Sequence, residues 1–506
     1  MSLESDGGGG AGAKRRRVDE QGAQRKELEA APVVRTSALP DDLRRRILTR
    51  LPLKDAIRSG ALAQGWRDLW KSRWADPTSC RAIHLLPGEN PREVLETLES
   101  VPRRRLDRFS FVFENYKFRQ PHLKRFFAYA AECRVEDLHV EVRGCNLHVE
   151  VRGCNIGGGS PIFHFPLSSP LLAHLSLRNM TLFDMYYKGA RPFYFLESIH
   201  LHSVNSGVKF SKVMALCPRL HTLDLRCCGC SRDNMLYGAE ACTPLSLRRI
   251  TLAECNYGGI RLDLLPMPSL CSFRYSGRFV DSLFFLPKDA TLTDLYICFS
   301  DREPIPQSLY YELDAVLPDD LSGLTVITIC SNALKIASSL FNDRATHQWT
   351  KMNNLQSLRE LQLLMLGMEM DNLANIYLFL KACHCSNLER LFVQLLATSD
   401  VPLEDLVEDV RVVLPEDVLA NLRMVKVMNF NWRRFEVQLV SLLLRKATSL
   451  HKMLLVSPKL APLHVPGVRE ADLFLLIEAL TSGHIMVSNS DDPATQPFHS
   501  EVFIKV

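Results

Sequence analysis

From about Leu106 onward the apolar positions of this chain fall repeatedly into the spacing L-x-x-L-x-L. Residues two apart on an extended strand point to the same face, so the last two apolar positions of each copy mark a short strand with one buried side. Three copies satisfy every position and add Cys or Asn three residues further on: Leu220-Leu223-Leu225-Cys228, Leu247-Ile250-Leu252-Cys255 and Leu324-Ile327-Ile329-Asn332. Looser copies start at Leu106, Val135, Leu172, Leu196, Leu270, Leu292, Leu358, Leu388, Leu422 and Leu450. Starts at 172, 196, 220, 247, 270 and 292 are 24, 24, 27, 23 and 22 residues apart. Steps of this size fit one parallel strand and a return segment per unit. Beyond 292 the starts fall at 324, 358, 388, 422 and 450, with gaps of 32, 34, 30, 34 and 28 that leave room for helices on the return side. Residues 372–382 read as one such helix, and Cys80–Leu85 as a strand ahead of the array.

A different pattern precedes the array. Leu39, Leu43, Ile47, Leu48 and Leu51 follow at offsets of 4, 4, 1 and 3, an apolar stripe along a helix, with Arg44, Arg45, Arg46 and Arg50 on its other sides. Pro40, Asp41 and Asp42 suit a helix start and Pro52 ends the helix. Asp55 caps a second helix through Ile57, Ala61 and Leu62, and Trp66, Leu69 and Trp70 close a third. Roughly 35 residues cannot bury such a stripe alone, so it packs on the rest of the chain or on a partner.

The segment resembles an F-box. The family's Leu-Pro, Ile-Leu, Leu-Pro, acidic residue, Arg and Trp-Arg-x-Leu stand here as Leu39-Pro40, Ile47-Leu48, Leu51-Pro52, Asp55, Arg58 and Trp66-Arg67-Asp68-Leu69. The resemblance implies that Leu39, Pro40, Leu43, Ile47, Leu48, Leu51 and Pro52 dock the Skp adaptor and, through it, a cullin, in an Skp-cullin-F-box (SCF) ubiquitin ligase. The remainder of the chain would hold the target protein. The period of the later units is that of leucine-rich repeats. The expected fold is therefore α/β: a short helical F-box, then a leucine-rich-repeat solenoid of parallel strands with helices or irregular returns on its convex side. The stretch 429–458, NFNWRRFEVQLVSLLLRKATSLHKMLLVSP, resembles the FBD region that follows F-box and leucine-rich repeats in plant proteins. The expected layout is a disordered basic tail over 1–35, the F-box over 36–76, the repeats over 77–410 and an FBD-like C-terminal repeat/cap region over 411–506. A rival reading is a repeat scaffold uncoupled from ubiquitination, prompted by Gly60 and Gly65 inside the helical segment.

In an array of this kind the residues between and just after the paired apolar positions face the concave side. That puts Arg178, His200, His202, Asp224, Arg226, Arg274 and Tyr296 on one strip, an expected target-binding surface suited by its Arg and Tyr to a carboxylate-bearing partner. One stretch breaks the rhythm: Leu138–Asn146 and Leu147–Asn155 are the same nine residues, LHVEVRGCN, in direct succession. Subtracting one copy shortens the step from Val135 to Leu172 from 37 to 28, so only one copy is expected in the regular strand slot.

Composition narrows the remaining classes. Over 506 residues the chain is 46% hydrophobic and 23% charged, and 61 basic against 57 acidic residues give no global field for nucleic acid or an anionic membrane. No apolar run reaches a membrane span and no secretory signal opens the chain, which places it in nucleus and/or cytoplasm. Lys14, Arg15, Arg16 and Arg17 form a nuclear-import run; replacing all four with Ala is expected to lower the nuclear fraction of a tagged protein, read by microscopy. The 15 cysteines show no disulfide framework, and neither Cys227-Cys228-x-Cys230 nor Cys383-His384-Cys385 has zinc-finger spacing, so no metal and no cofactor are expected. No phosphate loop, zincin or nucleophile-elbow motif is present, and the expected role is non-catalytic.

Overall fold

A computed structural model describes residues 39–48, 66, 69, 80–86, 89–114, 120–143, 162–164, 170–183, 193–206, 216–230, 246–255, 260–261, 267–279, 284–300, 317–342, 351–353, 355–366, 370–383, 385–396, 418–458, 468–492 and 494–503. It divides into two units, one ending at Arg81 and one beginning at Ala82. Lys14–Arg17, Leu51, Pro52, Gly60, Gly65 and the second nine-residue copy lie outside the described residues.

In the first unit, helix α1 (Asp41–Leu48) starts directly after Pro40, whose carbonyl accepts from the Leu43 and Arg44 amides at 3.0 and 3.1 Å. Arg44 also ties back to the Leu39 carbonyl at 2.6 Å. Leu48 is fully buried against Trp66, with Leu39 and Leu69 packed beside them.

The second unit is built on one sheet. Its strands are β1 (Cys80–Leu85), β2 (Arg108–Phe113), β3 (Asp137–Val142), β4 (Ile162–His164), β5 (His174–Phe183), β6 (Ser198–Ser206), β7 (Thr222–Arg226), β8 (Gly229–Cys230), β9 (Arg249–Ala253), β11 (Ser272–Gly277), β13 (Asp294–Phe299), β14 (Val326–Cys330), β15 (Glu360–Leu364), β16 (Arg390–Gln394), β17 (Met424–Met428), β18 (Lys452–Val456) and β19 (Ile485–Ser488). Two further strands, β10 (Ile260–Arg261) and β12 (Phe284–Phe285), pair with each other. Of the 17 strands in the sheet, β4 and β8 only add short second pairings to β5 and β6, which leaves a main ladder of fifteen. From β2 to β19 every neighbour in that ladder is parallel, and the ladder does not close.

Each repeat start read from the sequence lies two residues ahead of an observed strand, from Leu106 before β2 to Leu450 before β18. Zero-offset pairing then stacks like on like. Leu223 faces Ile250, Ile250 faces Phe273, Phe273 faces Leu295 and Leu295 faces Ile327, an apolar row along the interior. The amides of Leu196, Leu220, Leu270, Leu324, Leu358, Leu388 and Leu422 each bond the carbonyl three residues back, a tight corner that feeds the chain into its strand. Helices α2 (Pro91–Ser100) and α3 (Gln120–Glu132) fill the return segments of the first repeats. Helices α4 (Ser331–Asn342), α5 (Met370–Ala382), α6 (Arg434–Lys446) and α7 (Glu470–Thr481) fill the longer ones, each packed on the next.

The Cys and Asn positions of the template also have a physical role. Cys228 donates to the Leu201 carbonyl, Cys255 to Leu225 and Asn332 to Phe299, at 3.4, 3.3 and 2.9 Å, each reaching back one repeat. Inside β5 and β6 and just after β7, β9 and β17 one residue takes a positive φ: Asn179, Ser203, Cys227, Glu254 and Asn429 lie between +50° and +60°. Asn179 and Asn429 use their amides to bond carbonyls of the preceding repeat at 2.7 Å.

The 411–506 region forms no separate body. Its described residues extend the same ladder with β17, β18 and β19, and α6 and β18 lie within the stretch 429–458. Strand β19 was not legible in the spacing. Of the duplicated segment, the first copy supplies β3, and β3 pairs directly with β5, so no second strand intervenes.

Candidate functional site

Two surfaces hold the residues singled out from sequence. On α1 the apolar stripe divides: Leu43 and Ile47 stay 45% and 39% exposed, while Leu48 is fully buried. Periodicity places all of these on adjoining parts of one helix, but Trp66 takes Leu48 for the segment's own small cluster. Leu48 thus packs inside the segment, and the outward apolar residues are Leu43 and Ile47, with Leu39 half-buried and Pro40 exposed.

The second surface is the face of the sheet opposite the interior apolar row. Arg178, His200, His202, Asp224 and Arg226 come together there on β5, β6 and β7, because zero-offset pairing aligns His200 with Asp224 and Arg178 with His202 and Arg226. Arg226 grips Asp224 through two bonds of 2.8 and 2.7 Å, and His200 Nδ1 lies 3.4 Å from the same carboxylate. Burial opposes the charge of Asp224, but the bonds from His200 and Arg226 outweigh it and hold its carboxyl below the usual range. His202 is pushed down by burial and by the flanking Arg178 and Arg226, so it is neutral near pH 7. Arg178 is exposed and lies 3.9 Å from Glu141 on β3.

Tyr296 does not belong to an open strip. It is fully buried under the C-terminal segment, in edge contact with His499 and Phe503 at ring-centroid distances of 5.7 and 5.2 Å. Arg274 is half-buried, close enough to Asp294 and His499 to act on their charges. The covering segment follows β19 and crosses the strands in reverse order. Asp491 ion-pairs Lys426 on β17, and Asp492 sits 3.4 Å from Lys452 on β18. The Gln496 carbonyl accepts from Arg390 on β16 at 2.8 Å, and the Phe498 amide donates to Glu360 on β15 at 2.5 Å. His499 then bonds Thr328 on β14 and Asp294 on β13 at 2.8 and 3.0 Å. Finally Glu501 ion-pairs Arg226 on β7, whose guanidinium also lies 5.1 Å from the Phe503 ring.

His499 sits at the centre of a chain of donors. Thr328 Oγ1 is 3.0 Å from the Gln362 amide, whose nitrogen as placed has no partner. A half turn of that amide, indistinguishable by shape, turns its nitrogen toward Thr328. Gln362 then donates to Thr328, Thr328 to His499 Nδ1, and His499 Nε2–H to Asp294, which also accepts from Ser272 at 2.6 Å. This arrangement needs the neutral imidazole. Burial does push the His499 pKa down, despite the opposing pull of Asp294.

None of the covering contacts was read from sequence. The strand positions of Lys426, Glu360 and Thr328 show as polar residues alternating with apolar ones, but their partners lie 66 to 171 residues away. Among the described residues no group of three His, Cys, Asp or Glu side chains is placed to hold a metal.

Comparison with known proteins adds the decisive observation for the first unit. Residues 37–75 match the F-box domain family. A curated F-box/LRR-repeat protein of Arabidopsis thaliana is 22% identical over 290 residues, 56% of this chain and 55% of that protein. The chain thus spans about half the length of that relative. Similarity and ladder together describe an F-box followed by a leucine-rich-repeat solenoid.

Proposed function

We propose that the protein is a substrate-recognition subunit of an SCF ubiquitin ligase, acting in nucleus and/or cytoplasm, with the F-box docking the Skp adaptor and the repeats holding a target. The single observation behind this reading is the F-box match, within which α1 leaves Leu43 and Ile47 without an internal place to go. Such a receptor needs no nucleophile. Holding a target lysine near a charged conjugating enzyme raises its effective concentration, and the transfer chemistry belongs to the other subunits.

The test is recovery of purified Skp adaptor by the full chain. Replacing Leu43 and Ile47 with Ala should remove about 2 to 4 kcal/mol of binding, roughly thirty- to a thousand-fold. Leu48→Ala acts differently, because it empties a buried position and lowers the segment's own stability by about 2 to 5 kcal/mol. Undiminished recovery with both outward residues truncated would refute the docking surface.

A further inference from the structure

We propose that the face between β7 and β18 is a recognition groove for an extended acidic segment of the target, and that Asp491–Phe503 is its built-in occupant, which the target displaces. The proposal rests on the reading of the repeats as the target-holding part and deepens it.

The first ground is how the occupant is held. Among the described residues, 489–503 contains neither helix nor strand and adds nothing to the sheet ladder. It is fastened by acidic side chains at its two ends and by His499 and Phe503 between and beyond them. The groove answers in kind, with Lys426 and Lys452 at one end and Arg226 at the other. Spacing follows from the sheet. Lys426 on β17 and Arg226 on β7 are seven strand steps apart in the pairing order, about 34 Å at ~4.8 Å per step. The ten peptide steps from Asp491 to Glu501 reach about 33 to 36 Å fully extended, and the segment gives up part of that reach at a turn where the Thr495 amide bonds the Asp492 carbonyl at 3.1 Å. A competing segment should therefore be a mostly open chain without helix or strand, with carboxylates about ten residues apart.

The second ground is the floor of the groove. Beneath the segment lie Asp294, Thr328, Glu360 and Lys426, all buried, and Lys426 has no exposure at all. These are groups that water solvates well once uncovered, unlike the apolar row on the opposite face of the sheet. Removing the segment exposes that charged strip together with the Tyr296 ring, and leaves the apolar row on the opposite face untouched. Its outer side is already wet, with Gln496, Phe498, Ser500 and Glu501 exposed.

A fluorophore-labelled synthetic peptide of residues 489–506 tests the proposal by anisotropy against the full chain. In the wild type the tethered segment competes at an effective concentration in the millimolar range, so the peptide binds weakly. His499→Ala with Glu501→Arg in the chain loosens only the tethered copy, and the peptide should then bind at least tenfold tighter. Adding Lys426→Met to that variant should abolish the gain. The proposal is overturned if the doubly substituted chain, with a wild-type circular dichroism spectrum and unfolding midpoint, binds no peptide or binds a scrambled one equally. It is equally overturned if Glu501→Arg alone, at an exposed position, lowers the unfolding midpoint without producing peptide binding, since the segment is then a structural strap. Adaptor recovery on the same preparations separates the two readings: its loss with peptide binding intact removes the ligase assignment and leaves the groove.

Discussion

His499 carries the clearest pH signature. It faces Asp294 and Glu360, which favour its protonation, and Arg274, which opposes it, while burial against Tyr296 tips the balance toward the neutral ring. Its pKa in the docked segment lies below the ordinary 6.5 of a free histidine. The undocked segment then binds more protons, so docking is fully supported above pH 6.5 and weakens as pH falls through the lowered value. Asp294 and Asp491 are held below the usual carboxylate range, burial being outweighed by His499 and Ser272 in the first and by Lys426 and Gln496 in the second. Their contribution persists until pH drops below about 3.8. Between pH 7.5 and 5.5 chymotryptic cleavage after the exposed Phe498, normalised to the free peptide, should accordingly accelerate. In His499→Gln the profile should flatten; an unchanged slope would place the titrating group elsewhere.

Single elements show why the repeats could be read so closely. Each copy asks only for an apolar residue at the corner and two more on the strand, and these demands are local, so the start of every main-ladder strand from β2 to β18 follows from its own few residues. Asn429 shows the same logic at a strand's exit. Its φ of +60° suits Asn or Gly, and its amide bonds the Leu395 carbonyl at 2.7 Å. Asn429→Ala loses both and should cost about 2 to 3 kcal/mol in chemical denaturation. Asn429→Gly loses only the side-chain bond and should cost about 1 kcal/mol. Equal losses would mean that backbone strain is not part of the exit. Helix α1 was legible as a helix, yet which of its apolar residues face outward was not, because that depends on where Trp66 comes to rest. The C-terminal segment was invisible for a related reason: its ion pairs join residues as far apart as 226 and 501, and nothing local in DDPATQPFHSEVF announces a partner.

At the scale of the whole molecule the ladder tolerates what lies between its slots and little within them. The first copy of LHVEVRGCN supplies β3, and β3 reaches β5 without a strand between them. Deleting Leu147–Asn155 should therefore leave the unfolding midpoint within about 2 °C of wild type, since shortening a connection changes closure entropy only slightly. A large fall would show that the second copy supports the array.

The end of the array carries a consequence of its own. Strand β19 pairs with β18 on one side, and Met486 and Val487 remain 49% and 39% exposed, although Val487 continues the inward row above Leu455. Among the described residues no further unit covers this row. A terminus of that kind offers unspent amides and carbonyls beside greasy side chains, a template on which a second molecule can grow when the protein is heated or concentrated. Clumping under stress should begin from this rim rather than from the charged groove.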